Sequence, residues 1–260
     1  MEKTLKRSPL KRAIAEIPFS GVVYRRLKIA YLHLSFLREY HLFKRKSKSA
    51  RFPIQWRDRH PCLYEKTSFT EYDRHYVYHT AWAARILAEI KPKEHVDISS
   101  YVYFAALISA FVPIRFYDIR PLRIELNGLV TGTADLLNLP FPDASIPSIS
   151  CMHVVEHIGL GRYGEPIDPE GDLKAIEELK RVTAGGGNLL FVVPVGRPRI
   201  MFNAHRIYGY DQIRSYFSGF DLEEFALIPD SSDQGNLVRH ATEQMSDAQE
   251  YACGCFWFRR

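Results

Sequence analysis

Residues 188–195 read Asn-Leu-Leu-Phe-Val-Val-Pro-Val, a run whose apolar side chains would lie on both faces of an extended chain. A strand of this kind belongs in the interior of a sheet that is covered on both sides, as parallel sheets are. The triplet Gly185-Gly186-Gly187 stands directly before it and indicates the turn out of a preceding helix. The stretch therefore predicts a central strand of an α/β sheet.

The segments around this strand alternate between strand-like and helix-like patterns. Asp168-Pro169 predicts the start of the preceding helix, with Asp as the N-cap and Pro in the first turn. Its predicted buried stripe is Leu173, Ile176, Leu179 and Val182. Another helix is predicted from residue 73 to Pro92, with one face made of Val77, Ala81, Ala84 and Ala88. Shorter helices are predicted at 101–110 and 210–217, and strands at 95–99, 112–119, 129–135, 145–153, 220–228 and 251–258.

This alternation from residue 95 onward predicts an α/β domain with a mainly parallel twisted sheet of about seven strands and helices on both faces. Three regions are expected along the chain. A basic helical N-terminal extension covers residues 1–50, a helical lead-in covers 51–94, and the α/β domain covers 95–260.

Charge is distributed unevenly along the chain. Residues 1–51 hold 14 Lys and Arg against 3 Glu, a net charge of +11, which leaves −6 for residues 52–260. The extension also places Val23, Leu27, Ala30, Leu34 and Leu37 at helical spacing, which suggests a helix lying on an anionic membrane surface. The alternative is a helix docked on the protein with a solvated basic face. Nucleic acid is not an expected partner, because no recognised binding motif accompanies the charge.

The cysteines and the N-terminal residues bear on the location of the protein. Four scattered cysteines and no secretory signal predict a cytoplasmic protein, with the extension at the inner face of the membrane. The pair Cys253-Gly254-Cys255 could join a metal site, but no second close pair accompanies it. We therefore expect buried or incidental thiols there.

Two known patterns overlap in residues 151–164, which read CMHVVEHIGLGRYG. The first is H-x-x-E-H, which would bind zinc if His153 and His157 shared one face of a helix. A predicted strand ends there and glycines follow, so we expect no metal. The second is G-x-G-x-x-G from Gly159 to Gly164, which needs a following helix to hold a pyrophosphate. Pro166 and Pro169 follow instead, and the sequence predicts a mobile loop.

The larger arrangement resembles the second half of class I S-adenosylmethionine-dependent methyltransferases. The resemblance is carried by DLLNLPFPDASIPSISCMHVVEHI (135–158) and DLKAIEELKRVTAGGGNLLFVVPVG (172–196). The matching positions, in order, are Asp135, Leu139-Pro140-Phe141, Asp143, Glu156-His157, Gly185-Gly186-Gly187 and Pro194. This resemblance implies a Rossmann-like methyltransferase fold in which the segments 220–228 and 251–258 form an antiparallel final pair.

A closer resemblance is to an uncharacterised bacterial family of methyltransferase-like proteins. It rests on YDRHYVYHTAWAARIL (72–87), CMHVVEHIGLGRYG (151–164) and MFNAHRIY (201–208). Members of that family are associated with surface-polysaccharide gene clusters, which implies a carbohydrate or lipid-linked glycan as the acceptor.

The resemblance also implies S-adenosylmethionine as the cofactor and positions that would hold it. Asp97-Ile98-Ser99-Ser100-Tyr101 stands where the family has D-x-G-x-G, so side chains would crowd the cofactor unless Ser99 and Ser100 replace polar contacts. Asp118 stands where an acidic residue binds both ribose hydroxyls. Asp135, beside Leu136, stands where a side chain meets the adenine amino group. A loop or helix cap is the alternative role for each aspartate.

Candidate catalytic and substrate-binding residues follow the predicted strands. His153, Glu156, His157 and His205 lie at or after strand ends, where a general base would reach an acceptor hydroxyl. Packing of the histidines against the sheet is the alternative. Near residue 200 lies a basic segment that suits an anionic or sugar-phosphate acceptor, or is a solvated loop. Its candidate residues are Arg197, Arg199, Asn203 and Arg206. Asp73, Arg74 and His75 are interpreted as a charge cluster at a helix start.

These observations favour an S-adenosylmethionine-dependent methyltransferase that acts on a carbohydrate or lipid-linked glycan. The alternative is a methyltransferase-like binding or scaffolding protein whose cofactor site has degenerated, and the missing glycines are its main support.

Overall fold

The computed structural model describes residues 20–47, of which Ser20 by its backbone alone, and residues 51–260. Two compact units divide the chain between Glu71 and Tyr72. The boundary thus falls inside residues 51–94, which the sequence suggested as one lead-in.

Helix α1, Ser20–Lys46, lies within the helical extension predicted for residues 1–50. Residues 1–19 and 48–50 of that prediction lie outside the described residues. Its residues Val23, Leu27 and Leu34 are 53%, 65% and 65% exposed, so most of the predicted apolar face is open to solvent. A 3-10 turn follows at Trp56–Asp58, and the Trp56 ring packs edge-on against Tyr40 at 5.1 Å between centroids. Among the described residues, no helix combines the length and apolarity that crossing a bilayer requires.

The second unit alternates helices and strands as the sequence predicts. Its first elements are α2 (Arg74–Ile90), β1 (His95–Ile98), α3 (Val102–Ile108), β2 (Ile114–Asp118), β3 (Leu129–Thr133) and β4 (Ile146–Met152). Then come α4 (Gly171–Val182), β5 (Thr183–Val195), β6 (Arg199–Met201), β7 (His205–Ile207), α5 (Tyr210–Tyr216), β8 (Asp221–Ile228), α6 (Glu243–Asp247) and β9 (Ala252–Arg259).

Seven of these strands form one sheet in the order β3-β2-β1-β4-β5-β9-β8. Strand β9 runs antiparallel to both β5 and β8, and the other neighbouring strands pair in parallel. The mainly parallel seven-stranded sheet and its antiparallel final pair are therefore confirmed. Strands β6 and β7 form a separate hairpin.

Strand β5 is buried on both faces, as its sequence predicts. Leu189, Phe191 and Val193 belong to the core that α4 and α5 cover. Leu190 and Val192 belong to the opposite core, beneath α2 and α3. The alternation of side chains along a strand thus places one helical layer on each face of the sheet.

Helix α2 is capped by Asp73, whose carboxylate accepts a hydrogen bond from the Tyr76 amide at 3.2 Å. The face that packs on the sheet differs from the one marked by Val77, which is 46% exposed. The buried residues of α2 are His79, Trp82, Ala83, Ile86 and Leu87. The larger side chains bury more apolar area and therefore determine which face turns inward.

Helix α4 begins at Gly171, after the predicted start at Asp168-Pro169. The Asp168 carboxylate instead accepts hydrogen bonds from the Glu170 amide at 3.1 Å and from Lys174 Nζ at 2.6 Å. Ala175 is fully buried in this helix, whereas Leu173 is 36% exposed and lies outside the stripe that we predicted. The helix ends at Val182 and β5 begins at Thr183, so the glycine triplet lies within the strand.

Candidate functional site

A cavity of about 720 Å³ opens at the carboxyl ends of the parallel strands. Its walls include Ser99 and Ser100 after β1, Asp118 at the end of β2, His153 after β4, and Pro194 near the end of β5. The sheet order reverses direction between β1 and β4, and α/β sheets bind their ligands at such a point. The cavity is thus the candidate active site.

Asp97, which is fully buried, fixes the loop after β1 through hydrogen bonds. One carboxylate oxygen accepts a hydrogen bond from the Ser100 amide at 3.1 Å, and the other accepts one from the Ser150 hydroxyl. The Ser100 hydroxyl in turn accepts a hydrogen bond from the Met152 amide at 3.0 Å. Burial raises the pKa of Asp97 to about 6. Asp97 therefore supports the loop and does not line the cavity.

The glycine-free loop keeps a backbone shape that usually requires glycine. Ser99 has φ of 55°, in the left-handed region that side chains disfavour. Its amide donates to the Tyr117 carbonyl at 2.7 Å, and its hydroxyl donates to the same oxygen at 3.2 Å. Tyr101 occupies the position of the second glycine and lines the cavity. The hydrogen bonds hold Ser99 in the left-handed shape, and Tyr101 places a side chain where the family has none.

The acidic candidates, Asp118 and Asp135, differ in the cavity that they line and in the hydrogen bonds that they accept. Asp118 lines the cavity, and its Oδ1 accepts a hydrogen bond from the Arg120 amide at 2.8 Å. Its Oδ2 has no partner within the described residues, 20–47 and 51–260. Asp135 and Leu136 line a smaller adjoining cavity of about 110 Å³, together with Asp118 and Ser99. The Asp135 carboxylate accepts from the Leu137 amide at 2.9 Å, so it also acts as a loop cap.

The H-x-x-E-H segment does not form the helix that a zinc protease requires. His153 has φ of 58°, and only one 3-10 turn, Val155–His157, follows it. His153 and His157 therefore do not share a helical face. The glycine segment after them folds around the Glu165 carboxylate, which accepts hydrogen bonds from the amides of Gly161 and Tyr163, each at 2.8 Å.

His153 and Glu156 form a buried pair at the cavity floor. Glu156 Oε1 lies 2.8 Å from His153 Nδ1, and the two side chains are 1% and 6% exposed. Burial acts to raise the pKa of Glu156, but the hydrogen bond from His153 and the charges of His153 and His157 outweigh it and lower the pKa. Glu156 Oε2 is buried and has no hydrogen-bond partner among the described residues. The pair thus holds a buried anionic carboxylate.

The other two catalytic candidates line the same cavity. His157 Nδ1 donates to the Ala204 carbonyl at 2.6 Å. The His205 ring stacks on Tyr251 at 5.1 Å between centroids, and desolvation lowers the pKa of His205. The structure therefore brings His153, Glu156, His157 and His205 to one cavity, as the sequence predicts for residues at strand ends.

Two residues beside His153 lie outside the predicted set. His75, in the first turn of α2, stacks its ring on His153 at 5.6 Å, and burial lowers the pKa of His75 to about 4. Cys253 on β9 has its Sγ 3.4 Å from His153 Nε2. The short motifs around Asp73–His75 and Cys253–Cys255 were visible in the sequence, but nothing in it shows that they meet.

The basic segment near residue 200 forms the β6–β7 hairpin, and none of its four candidates lines the cavity. Arg197 and Arg199 pair with Glu250 at 3.4 and 3.7 Å, and Asn203 is exposed. Arg206 is 4% exposed and donates to the carbonyls of Ile158 and Pro169 at 2.7 and 3.1 Å. These bonds commit Arg206 to fixing the neighbouring loop, so it is not available to a substrate.

Comparison with known proteins gives a sequence family and several structures. Residues 144–252 match the family described as "Caenorhabditis protein of unknown function, DUF268". No curated protein matches the chain. A similar solved structure is that of a protein from Galdieria sulphuraria described as a sarcosine dimethylglycine methyltransferase. The two chains are 15% identical with a TM-score of 0.50, and the match covers 70% of this chain and 84% of the Galdieria chain. The chain has the Rossmann-like methyltransferase fold.

Two further similar structures are methyltransferases that hold S-adenosylhomocysteine. The N-methyltransferase NodS of Bradyrhizobium japonicum is 13% identical with a TM-score of 0.49, covering 77% of this chain and 91% of its own. The 1,6-didemethyltoxoflavin-N1-methyltransferase of Burkholderia thailandensis is 9% identical with a TM-score of 0.48, covering 70% and 78%. At these identities the similarity concerns the fold.

Proposed function

We propose that the protein binds S-adenosylmethionine in this cavity and transfers its methyl group to an acceptor. The observation that carries the proposal is the placement of Asp118 at the end of β2, with one carboxylate oxygen lacking a partner within residues 20–47 and 51–260. A carboxylate at this place suits the two hydroxyls of a ribose, because each oxygen accepts a charge-assisted hydrogen bond.

The residues present fit the cofactor best at its nucleoside end. Asp118 would hold the ribose, and Asp135 and Leu136 would border the adenine in the adjoining cavity. At the methionine end, the left-handed backbone of Ser99 leaves the loop on a path that a glycine would take. The hydroxyl of Ser99 and the ring of Tyr101 would contact that end.

The cofactor supplies an electrophilic methyl group when bound, and the chain would then have to orient the acceptor and take its proton. His205 suits the second task, because its lowered pKa keeps the imidazole neutral at pH 7. His157 lies beside it, with 6.3 Å between the ring centroids, and its Nδ1 is fixed by the Ala204 carbonyl. These two histidines are the proposed general-base region.

For the acceptor we propose a carbohydrate or lipid-linked glycan. Support comes from the cavity wall, which combines aromatic rings with cations that suit a hydroxyl-rich or phosphorylated sugar. The residues concerned are Tyr76, Tyr101, Tyr163, Tyr251, Arg120 and Arg162. A role in surface-polysaccharide synthesis would follow from such an acceptor.

A second candidate function is a binding or scaffolding protein that does not use the cofactor. The position of Tyr101 favours it, because a phenol ring stands where the family has its second glycine. In that case Asp118 would serve only as the cap of the Arg120 amide.

Calorimetry with S-adenosylhomocysteine separates the two functions. The enzyme hypothesis predicts binding by the wild type and at least about tenfold weaker binding by Asp118→Ala, since each lost charge-assisted bond is worth about 1.5–3 kcal/mol. Asp135→Ala should cost less, because one contact is at stake. If the wild type does not bind the ligand at millimolar concentration, the enzyme hypothesis is wrong and the binding or scaffolding function remains. Binding that Asp118→Ala leaves intact would place the ligand elsewhere.

We also propose that α1 attaches the protein to anionic lipid at the inner face of the cytoplasmic membrane. Support comes from seven Lys and Arg against one Glu in this helix, next to the exposed Val23, Leu27 and Leu34. The full chain should sediment with anionic vesicles at low salt, and Leu27→Ser with Leu34→Ser should reduce this. Equal binding to uncharged vesicles, or no loss on the double change, would contradict the proposal.

A further inference from the structure

We propose that His75, His153 and Cys253 bind a zinc ion at the floor of the cavity, with a fourth coordination position open to the cavity. One ligand atom from each residue lies within 4.8 Å of the others. The three come from α2, from the end of β4 and from β9, so the folded sheet assembles them. This inference does not depend on methyl transfer.

The distances suit a four-coordinate zinc ion. Zinc binds histidine nitrogen at about 2.0–2.1 Å and cysteine sulfur at about 2.3 Å, which places two tetrahedral N and S ligands about 3.5 Å apart. His153 Nε2 and Cys253 Sγ are 3.4 Å apart. Neither ring nitrogen of His75 has a hydrogen-bond partner among residues 20–47 and 51–260, so a small rotation can bring one of them onto the ion.

A buried carboxylate orients the His153 ring for metal binding. Glu156 Oε1 accepts a hydrogen bond from His153 Nδ1 at 2.8 Å, so the other ring nitrogen, Nε2, faces Cys253. Zinc-binding histidines usually have such a partner on the other ring nitrogen. Glu156 is 1% exposed and its Oε2 has no partner in the described chain. Binding of zinc would release the proton of the Cys253 thiol, because the thiolate is the form that coordinates the metal.

The ligand types and the open position indicate what the ion would do. Two imidazoles and one thiolate favour zinc over magnesium or calcium, which prefer oxygen ligands. Three protein ligands with a fourth position for water or substrate are typical of catalytic zinc sites. His75 and His153 line the cavity, so water or the hydroxyl of any bound molecule could take that position. The ion would then make the hydroxyl more acidic.

The same atoms could instead form a metal-free cluster in which the Cys253 thiol donates to His153. The first test uses the untagged full chain, stripped with a chelator and titrated with Zn²⁺ in competition with a chromophoric chelator. Titration with Co²⁺ follows, because a cobalt–thiolate bond gives a near-ultraviolet charge-transfer band. The proposal expects one ion per chain and this band. A wild-type protein without the band would overturn it.

Matched variants identify the ligands. Cys253→Ser and His75→Gln should each weaken Zn²⁺ by more than about 100-fold, and Glu156→Gln by about 10–100-fold, the range for a residue that only orients a ligand. The controls are Cys151→Ser, another buried cysteine, and His205→Gln, another cavity histidine, which should bind as the wild type does. Circular dichroism checks that each variant folds. If folded Cys253→Ser binds Zn²⁺ as tightly as Cys151→Ser, the cluster is not the site. If Cys253→Ser does not fold, the wild-type cobalt band decides.

Discussion

Two carboxyl groups at the cavity differ in the direction of their pKa shifts although both are buried. Asp97 on β1 is 0% exposed, and Glu156 after β4 is 1% exposed. The pKa of Asp97 is raised to about 6, whereas the pKa of Glu156 is lowered. Equal burial therefore does not produce equal pKa values.

The partners of the two groups account for the difference. Asp97 accepts hydrogen bonds from the Ser100 amide and the Ser150 hydroxyl, both neutral, so desolvation prevails. Glu156 faces the imidazoles of His153 and His157, which can carry a positive charge. The comparison teaches that the partners of a buried carboxyl group, and not its burial alone, decide the direction in which its pKa moves.

The largest expected effect comes from removing the imidazole beside Glu156. His153→Ala removes the hydrogen bond from the His153 ring to the buried Glu156 carboxylate and leaves only the more distant His157 imidazole, which should lower the free energy of unfolding by about 3–5 kcal/mol. Urea unfolding at pH 7, with a chelator present, measures it.

The matched control makes the carboxylate neutral. The double variant His153→Ala with Glu156→Gln should recover much of the lost stability, because an amide costs less to bury than a charge. A loss below about 1 kcal/mol in His153→Ala would mean that Glu156 is not ionised in the folded protein.

A smaller, pH-dependent effect is expected for Asp97→Asn. A raised folded pKa contributes stability that is present below the unfolded value of 3.8 and lost as pH rises through about 6. The shift of about two units corresponds to about 3 kcal/mol. Asparagine does not titrate, so the stability of the variant relative to the wild type should rise by most of that amount from pH 4 to pH 7.

Urea unfolding of both proteins at several pH values in this range measures the difference. The other titrating groups are common to both proteins and largely cancel. A difference that stays constant with pH would show that Asp97 keeps an ordinary pKa.

The smallest expected effect on stability comes from Asp118→Ala. The Asp118 side chain is 15% exposed and accepts one backbone hydrogen bond, from Arg120. Its loss should lower the free energy of unfolding by about 1 kcal/mol. Thermal unfolding of the variant checks this value. A loss as large as that of His153→Ala would make Asp118 a structural residue and weaken its assignment to the ribose.

Much of the fold could be predicted because its signals are local. Strand β5 shows its burial in one run of eight residues, and Asp73 caps α2 through an amide three residues away. The errors arose where local signals compete. Val77 marks a regular face of α2, but Trp82 on another face buries more area, and Asp168 caps a turn that precedes α4.

The candidate site was predicted where it lies at strand ends. His153, Glu156 and His157 directly follow β4, so the end of that strand brings them to the cavity. His205 reaches the same cavity from the first position of β7, in the separate hairpin. His75 and Cys253 could not be placed in the same way. They are separated from His153 by 78 and 100 residues, and only the packing of α2 and β9 against β4 and β5 places them beside it.

The position of β9 has a consequence for how the cavity wall is held. Strand β8 precedes β9 along the chain, yet within the described sheet it neighbours only β9, which lies between β8 and β5. The β8–β9 pair is therefore attached to the parallel strands through the β5–β9 pairing. Cys253 lies in β9, and Tyr251 directly precedes that strand. The same β5–β9 pairing thus secures the outer strand of the sheet and also positions one wall of the cavity.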